Sequence, residues 1–314
     1  MGADMAEKIK SKARYCLKMF QKQRQLWLLC IPIIIWVVVF AYVPMYGLLI
    51  AFVDYIPGKS IFDCDFVGLK YFKDFVLSPV FLQLLRNTLA MSILGLTFGF
   101  AAPIVFALCV NELKDGWFKK SVQTTSYLPH FISWVVAGSM IFMLLSNEGV
   151  INDILMRLGI IEEAVPFLTE GKYYWVMYTL ANIWKGMGWS SIIYLSAMSS
   201  MDPELMEAGA VDGMGRMGIV RYVIIPAILP TIVVQWILGI GGILNAGFEQ
   251  HLVLGNASTQ NYWDVIDTYS YRYGIQLGYY SIGTAVGLMK SVIGVLLVWA
   301  TNWFCRKKLD TAIF

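Results

Sequence analysis

Charge is scarce in this chain of 314 residues: Asp, Glu, Lys and Arg together make up 14%, where a soluble domain carries about 25%. A disordered chain is excluded as well, because disorder needs low hydrophobicity and high net charge, and here 58% of the residues are hydrophobic. The net charge of +3 is too small to imply a nucleic-acid partner. Histidine occurs twice, and no Ser/His/Asp or Cys/His set is placed for catalysis. The five cysteines (Cys16, Cys30, Cys64, Cys109 and Cys305) lack the paired spacing of a zinc site. No G-x-x-x-x-G-K-S/T phosphate loop is present, so the chain has no P-loop for ATP. What remains is an all-α polytopic membrane protein. Its 27 glycines suit close helix packing in lipid.

A span needs about 20 mostly apolar residues, each rising 1.5 Å across a core of roughly 30 Å. Six stretches qualify: Leu26–Val53, Asn87–Val110, Thr124–Leu145, Tyr173–Met198, Val223–Phe248 and Tyr279–Phe304. Lys185 and Lys290 are the charges within them, and no Asp or Glu lies well inside an apolar run. That argues against a gradient-driven secondary transporter, which usually carries intramembrane carboxylates. An even number of spans puts both termini on one side. That side holds 15 Lys/Arg: seven from Lys8 to Arg24, then Lys114, Lys119, Lys120, Arg216, Arg221 and Arg306–Lys308. The other side has seven, so the positive-inside rule makes both termini cytoplasmic.

The chain then divides into a basic cytoplasmic tail (1–25), a first transmembrane helix (26–53) and an extracellular loop (54–86). A transmembrane domain (87–304) holds helices two to six and a cytoplasmic loop at 199–222, and a cytoplasmic tail (305–314) follows. The first span follows a basic region, but its apolar run exceeds the 7–15 residues of a signal peptide and no small-x-small cleavage site follows, so it reads as a retained anchor. Only Cys64 lies outside, which leaves no external disulfide within the chain. The outer loops (54–86, 146–172 and 249–278) are mildly acidic and aromatic, as at Tyr262-Trp263 and Tyr269-Ser-Tyr271. They suit docking of a protein or a polar ligand, or an interfacial aromatic belt.

The loop between spans four and five carries a strong local signal. Asp202 is a good N-cap and Pro203 fits the first helical position. Glu204 and Glu207 lie in the first turns, where the helix dipole favours acids. Gly213 and Gly215 end the helix. The short helix carries Leu205, Met206 and Val211 beside the small Ala208, Gly209 and Ala210. Apolar side chains on a cytosolic helix call for a partner groove or a headgroup surface. Basic residues are scarce within 202–215, which favours the groove.

Glu207-Ala-Gly, three residues, Gly213, nine residues, then Val223-x-Ile225-Pro226 resembles the EAA motif of binding-protein-dependent ABC importer permeases. That pattern reads Glu-Ala-Ala-x3-Gly-x9-Ile-x-Leu-Pro; here Gly209, Val223 and Ile225 depart from it while keeping size or apolarity. The stretches 43–52, 127–136, 166–169, 247–250 and 264–272 are similar to the LplB-type branch, labelled polysaccharide or aldouronate uptake. The resemblance covers nearly the whole chain after about residue 25. It implies a type I ABC importer permease fold in the cytoplasmic membrane, multi-pass, of a Gram-positive bacterium. It also implies a second homologous permease chain, two cytosolic ATPase subunits holding ATP and Mg, and an extracellular sugar-binding lipoprotein that delivers an oligosaccharide. This chain would itself bind no cofactor or metal. Glu207 would be the polar anchor in the ATPase, Ala208 and Gly209 the close-contact surface, Gly213 the turn, and Asp212 a second polar contact. The motif alone does not separate sugars from glycerol phosphate or peptide.

A sugar path needs polar groups for hydroxyls and aromatic faces for rings. Span four offers Trp184, Lys185, Gly186 and Trp189, with Lys185 the thirteenth of 26 residues. A mid-membrane lysine costs about 2.5–3.5 kcal/mol and usually faces a polar interior. In the related maltose permease the matching stretch lines the sugar site. Gly239, Gly242 and Asn245 in span five form the corresponding second wall, with Glu249 and Gln250 at its outer end. The tryptophans also suit packing, and the glycines helix crossing. Lys185 and Lys290 also suit pairing with carboxylates or carbonyls of the partner chain, and Lys185 an acidic sugar. His130 reads as a packed polar residue.

Overall fold

The computed structural model describes residues 23–309. The basic tail from Lys8 to Lys22, Cys16 and residues 310–314 lie outside them. The described residues are helical, with one isolated antiparallel bridge between Val53 and Phe66. In chain order the helices are α1 (Arg24–Phe52), α2 (Lys70–Val76), α3 (Phe81–Asn111), α4 (Trp117–Phe131), α5 (Trp134–Leu145) and α6 (Val150–Arg157). Then come α7 (Tyr174–Ser199), α8 (Pro203–Val211), α9 (Arg216–Gly241), α10 (Glu249–Leu254), α11 (Gln260–Trp263), α12 (Ile266–Tyr271) and α13 (Tyr280–Leu309).

Five stretches are long and apolar enough to cross a membrane: α1, α3, α5 with α6, α9 and α13. The 26-residue α7 is long enough, but its tyrosines, serines, Asn182 and Lys185 dilute its apolarity. Along α1 the apolar side chains, such as Leu28, Trp36 and Phe40, stay exposed, which suits a helix facing lipid.

Three prolines shape the spans in one way. Proline lacks the N–H that would bond four residues back, and a wide π-type turn forms on that side. The turn Val38–Tyr42 precedes Pro44, Gly95–Gly99 precedes Pro103, and Val220–Ile224 precedes Pro226. The expected third span, Thr124–Leu145, is not one helix. It breaks at Ile132 and Ser133, both extended, and Ser133 caps α5 by accepting from the Val136 N–H. The expected fifth span, Val223–Phe248, stops at Gly241. A Cβ on Gly241 would meet Val298 and the Gly294 carbonyl, so α9 ends about half-way along α13.

The outer segments are not plain loops. Phe75, Leu84, Leu244, Ile266, Tyr269 and Val286 form one buried cluster, joining α2 and α12 to the bundle. A second, around Met91, Tyr174, Tyr178, Leu254 and Val265, takes in Tyr262 and Trp263. Tyr262, Trp263 and Tyr269 therefore help pack the 249–278 segment onto the bundle, while Tyr271 lies outside both clusters and stacks edge-on against Phe248. At the opposite end Ala107, Tyr194, Met198, Ile224 and Ile228 pack together with Met206 and Ile219. Cys30, Cys64, Cys109 and Cys305 are free.

Candidate functional site

The short helix α8 forms where its capping residues place it. The Asp202 carboxylate accepts from the Glu204 N–H at 3.0 Å, satisfying one of the helix's unpaired first-turn donors. Gly213 ends it at φ +79°, the left-handed region that glycine enters without cost. The Met214 N–H then donates to the Gly209 carbonyl at 3.0 Å. Gly215 has φ −71° and starts the next helix, so the stop rests on Gly213 alone. Glu207, Ala208, Val211 and Asp212 are exposed. Gly209 is buried, with Val223, Met214 and Ile219 within 3.7 Å of where a Cβ would stand. It seats α8 on the base of α9 and does not belong to the outward face, which is formed by Glu204, Leu205, Glu207, Ala208, Ala210 and Val211, with Asp212 beyond the last turn.

The second candidate region splits. Gly186, Gly239, Gly242 and Asn245 line one cavity of about 290 Å³, together with Tyr178, Thr179, Asn182 and Ser190. Its third wall is the π-turn of α3, with Gly95 and Gly99. Trp184, Lys185 and Trp189 point elsewhere. The Lys185 ammonium donates to the His130 carbonyl at 2.7 Å and lies 5.5 Å from the Trp134 ring centre. The break after Phe131 deprives that carbonyl of the helical donor it would otherwise have, and Lys185 replaces it within this chain, not on a partner. Trp189 stacks on His130 with centroids 4.6 Å apart. Trp184 is 40% exposed. Glu249 is exposed and Gln250 half-buried at the start of α10.

Lys290 pairs with Asp267 of α12, again within the chain. Counting span residues alone missed this carboxylate, because the outer segment brings it against α13. Asp264, 4% exposed, holds Arg272 at 2.5 Å and accepts from Thr268 at 2.6 Å. Asn87, fully buried, donates to the Asn261 and Asp264 carbonyls at 3.0 and 2.9 Å. Arg86 lies between the Trp175 and Tyr262 rings. In the outer loop Tyr71 donates to Asp54 at 2.6 Å; burial, with that bond second, pushes its hydroxyl up to about 12.

No sequence signal marks His251. It is fully buried in α10, stacked on Tyr178 at 4.4 Å. Its Nε2 lies 3.0 Å from the Ala246 carbonyl and its Nδ1 2.9 Å from the Tyr174 hydroxyl. A carbonyl only accepts, so Nε2 carries the proton and Nδ1 accepts from Tyr174. Tyr178 donates to the same carbonyl. Burial pulls the imidazole down to about 4. This cage fixes Ala246 and Asn245, the non-helical wall of the 290 Å³ cavity.

A bundle of membrane-length helices enclosing a cavity, with the capped helix α8 seated at one end and exposing one face, is the architecture expected of a membrane permease. Family comparison agrees: the chain belongs to the binding-protein-dependent transport system inner membrane components, matched over residues 99–309. It is 41% identical to Protein LplB of Bacillus subtilis (strain 168) over 295 residues, 94% of this chain and 92% of that protein. It is 40% identical to the polygalacturonan/rhamnogalacturonan transport system permease protein YteP of the same organism, over 98% of this chain and 95% of YteP. Among solved structures it resembles a bacterial alginate ABC transporter in complex with alginate pentasaccharide-bound periplasmic protein. There the TM-score is 0.85 and the identity 37%, covering 94% of this chain and 99% of the other. The fold is therefore that of an ABC importer permease.

Proposed function

We propose that the chain is one of two permease subunits of an ATP-driven importer for oligosaccharides, acidic ones among them. The observation that carries this is the pairing of two features on one rigid frame. A cavity with Thr179, Asn182, Ser190 and Asn245 in an otherwise mainly apolar lining opens where α3, α7 and α9 converge, and α9 rises directly from the seat of the exposed helix α8. Names of the relatives support the substrate class: polygalacturonan/rhamnogalacturonan for YteP and the acidic polysaccharide alginate for a second solved transporter.

In this reading six helices cross the membrane, α7 among them, and both termini are cytoplasmic. The membrane is that of a Gram-positive cell, where a solute-binding lipoprotein delivers the sugar to the outer face. ATP and Mg bind on two partner ATPases, each gripping one α8-type helix. Closure of the ATPases draws the two helices together. Gly209, packed on Val223 and Ile219, passes that movement into α9, and α9 reshapes the cavity wall. The test is reconstitution with the second permease, the ATPases and the binding protein. Glu207→Lys reverses the polar anchor, and Gly213→Pro forbids φ +79°; each is expected to abolish sugar-stimulated ATP hydrolysis while membrane insertion persists. Normal uptake by either variant overturns the docking role.

A further inference from the structure

A second cavity, of about 710 Å³, lies across the α9 break from the first and shares Gly242 and Asn245 with it. It is lined by Asn245, Asp267, Ser270, Lys290, Ser291 and Trp299 among others. Its volume falls within the range of small-molecule sites, about 300–1,000 Å³; the first cavity falls just short of it. Where a Cβ on Gly287 would stand, one turn from Lys290, space is open. Two charges meet in this space. Asp267 uses one carboxylate oxygen on Lys290, and its other oxygen is buried without a donor among the described residues.

An ion pair taken from water gains little net stability over well-packed apolar residues, and less when its lone pairs go unused. A role in recognition accounts for it better. Lys290 is a pure donor and Asp267 a pure acceptor. An acidic sugar unit presents the complement on one ring: a carboxylate that accepts and hydroxyls that donate. Lys185, the other lysine at mid-membrane depth, is already committed to the His130 carbonyl.

We infer that this second cavity is a subsite for an acidic sugar unit of the transported oligosaccharide. Lys290 receives the sugar carboxylate and Asp267 accepts the neighbouring hydroxyls, an assignment that rests on the oligosaccharide-import reading above. In the exchange the sugar carboxylate takes the place of Asp267 on the ammonium, and hydroxyl donors reach the carboxylate as it is released. Neither charge is left bare. Trp299 offers an apolar face to the ring, and Asn245, Ser270 and Ser291 offer further polar contacts. A neutral sugar has hydroxyls but nothing to displace Asp267, so the pair stays closed to it.

The experiment uses the complete transporter in proteoliposomes with its binding protein, and two probes: trigalacturonate and its methyl ester. Lys290→Gln and the reversed pair Asp267→Lys/Lys290→Asp are compared with wild type, together with insertion and assembly with the second permease. A charge-assisted hydrogen bond is worth enough to change binding by tenfold or more. Lys290→Gln is therefore expected to lower the ratio of acid to ester uptake by at least tenfold. The reversed pair is expected to assemble yet stay defective for the acid. Wild-type uptake of trigalacturonate by the reversed pair makes the charges a structural strut and overturns the inference. So does an equal loss of both probes in Lys290→Gln, or loss of assembly, which makes this face a permease interface. Should wild type carry only the acid, the reversed pair alone decides. Should wild type carry neither probe, the galacturonate subsite is overturned, while the import reading stands or falls separately on the Glu207→Lys and Gly213→Pro variants.

Discussion

Acid should loosen the outer half of this protein through His251. Its imidazole is buried and neutral, with a folded pKa of about 4 against an ordinary 6.5. Below pH 6.5 the unfolded chain binds a proton that the folded chain refuses. Stability contributed by the neutral cage is therefore full above pH 6.5, declines as pH falls, and is lost by about pH 4. The slope reaches about 1.4 kcal/mol per pH unit, and the whole window amounts to about 3 kcal/mol. His251→Gln keeps a donor and an acceptor but does not titrate. The assay is thermal unfolding of the detergent-solubilised transporter between pH 7.5 and 4, wild type against His251→Gln. Wild type should lose melting temperature steeply below pH 6.5, and the variant should lose clearly less. Parallel curves would show that His251 is solvated, and the cage argument would fall.

Other consequences can be measured. A Cβ on Gly188 would stand 2.1 Å from the Ser126 carbonyl oxygen, so Gly188→Val should push α4 from α7 and cost about 1–3 kcal/mol; an unchanged melting temperature would refute that close crossing. Lys185→Ala leaves the His130 carbonyl without its donor and should cost about 1–3 kcal/mol, lowering uptake of acidic and neutral oligosaccharides alike. A selective loss of the acidic sugar would instead return Lys185 to the transport path. Asn87→Ala removes the tie from α3 to residues 261 and 264, and limited proteolysis should then cut the 255–265 stretch faster than in wild type.

Local signals were legible in the sequence, and distant ones were not. Asp202, Pro203 and Gly213 act within a few residues of themselves, so the extent of α8 could be read directly. The stretch expected as span four, Tyr173–Met198, forms a helix over Tyr174–Ser199, although that helix is not apolar enough to stand among the five membrane-length stretches. Gly186, Gly239, Gly242 and Asn245 line one cavity together, whereas Gly188 and Gly241, also within spans, serve close helix crossings. Trp184 and Lys185 sit beside Gly186 in the sequence, but neighbouring helical positions face different directions, and only Gly186 reached the cavity. The Lys185 partner is a carbonyl 55 residues away, exposed by a helix break that hydropathy does not register. Asp267 and His251 belong to segments that read as outer loops, and only tertiary packing reveals that they enter the bundle.

The early stop of α9 bears on electrical insulation. Peptide groups from 243 to 246 leave helical order half-way along α13, and irregular backbone at that depth persists only inside protein or beside water. With cavities on both sides of it, water entering that half of the bundle would leave it a poor barrier to the membrane voltage. The voltage would then fall mainly across the α8 end, where Ala107, Tyr194, Met198, Ile224 and Ile228 pack together. Proton leak should consequently respond to cavity-forming substitutions in that plug, and far less to equal truncations near Asn245.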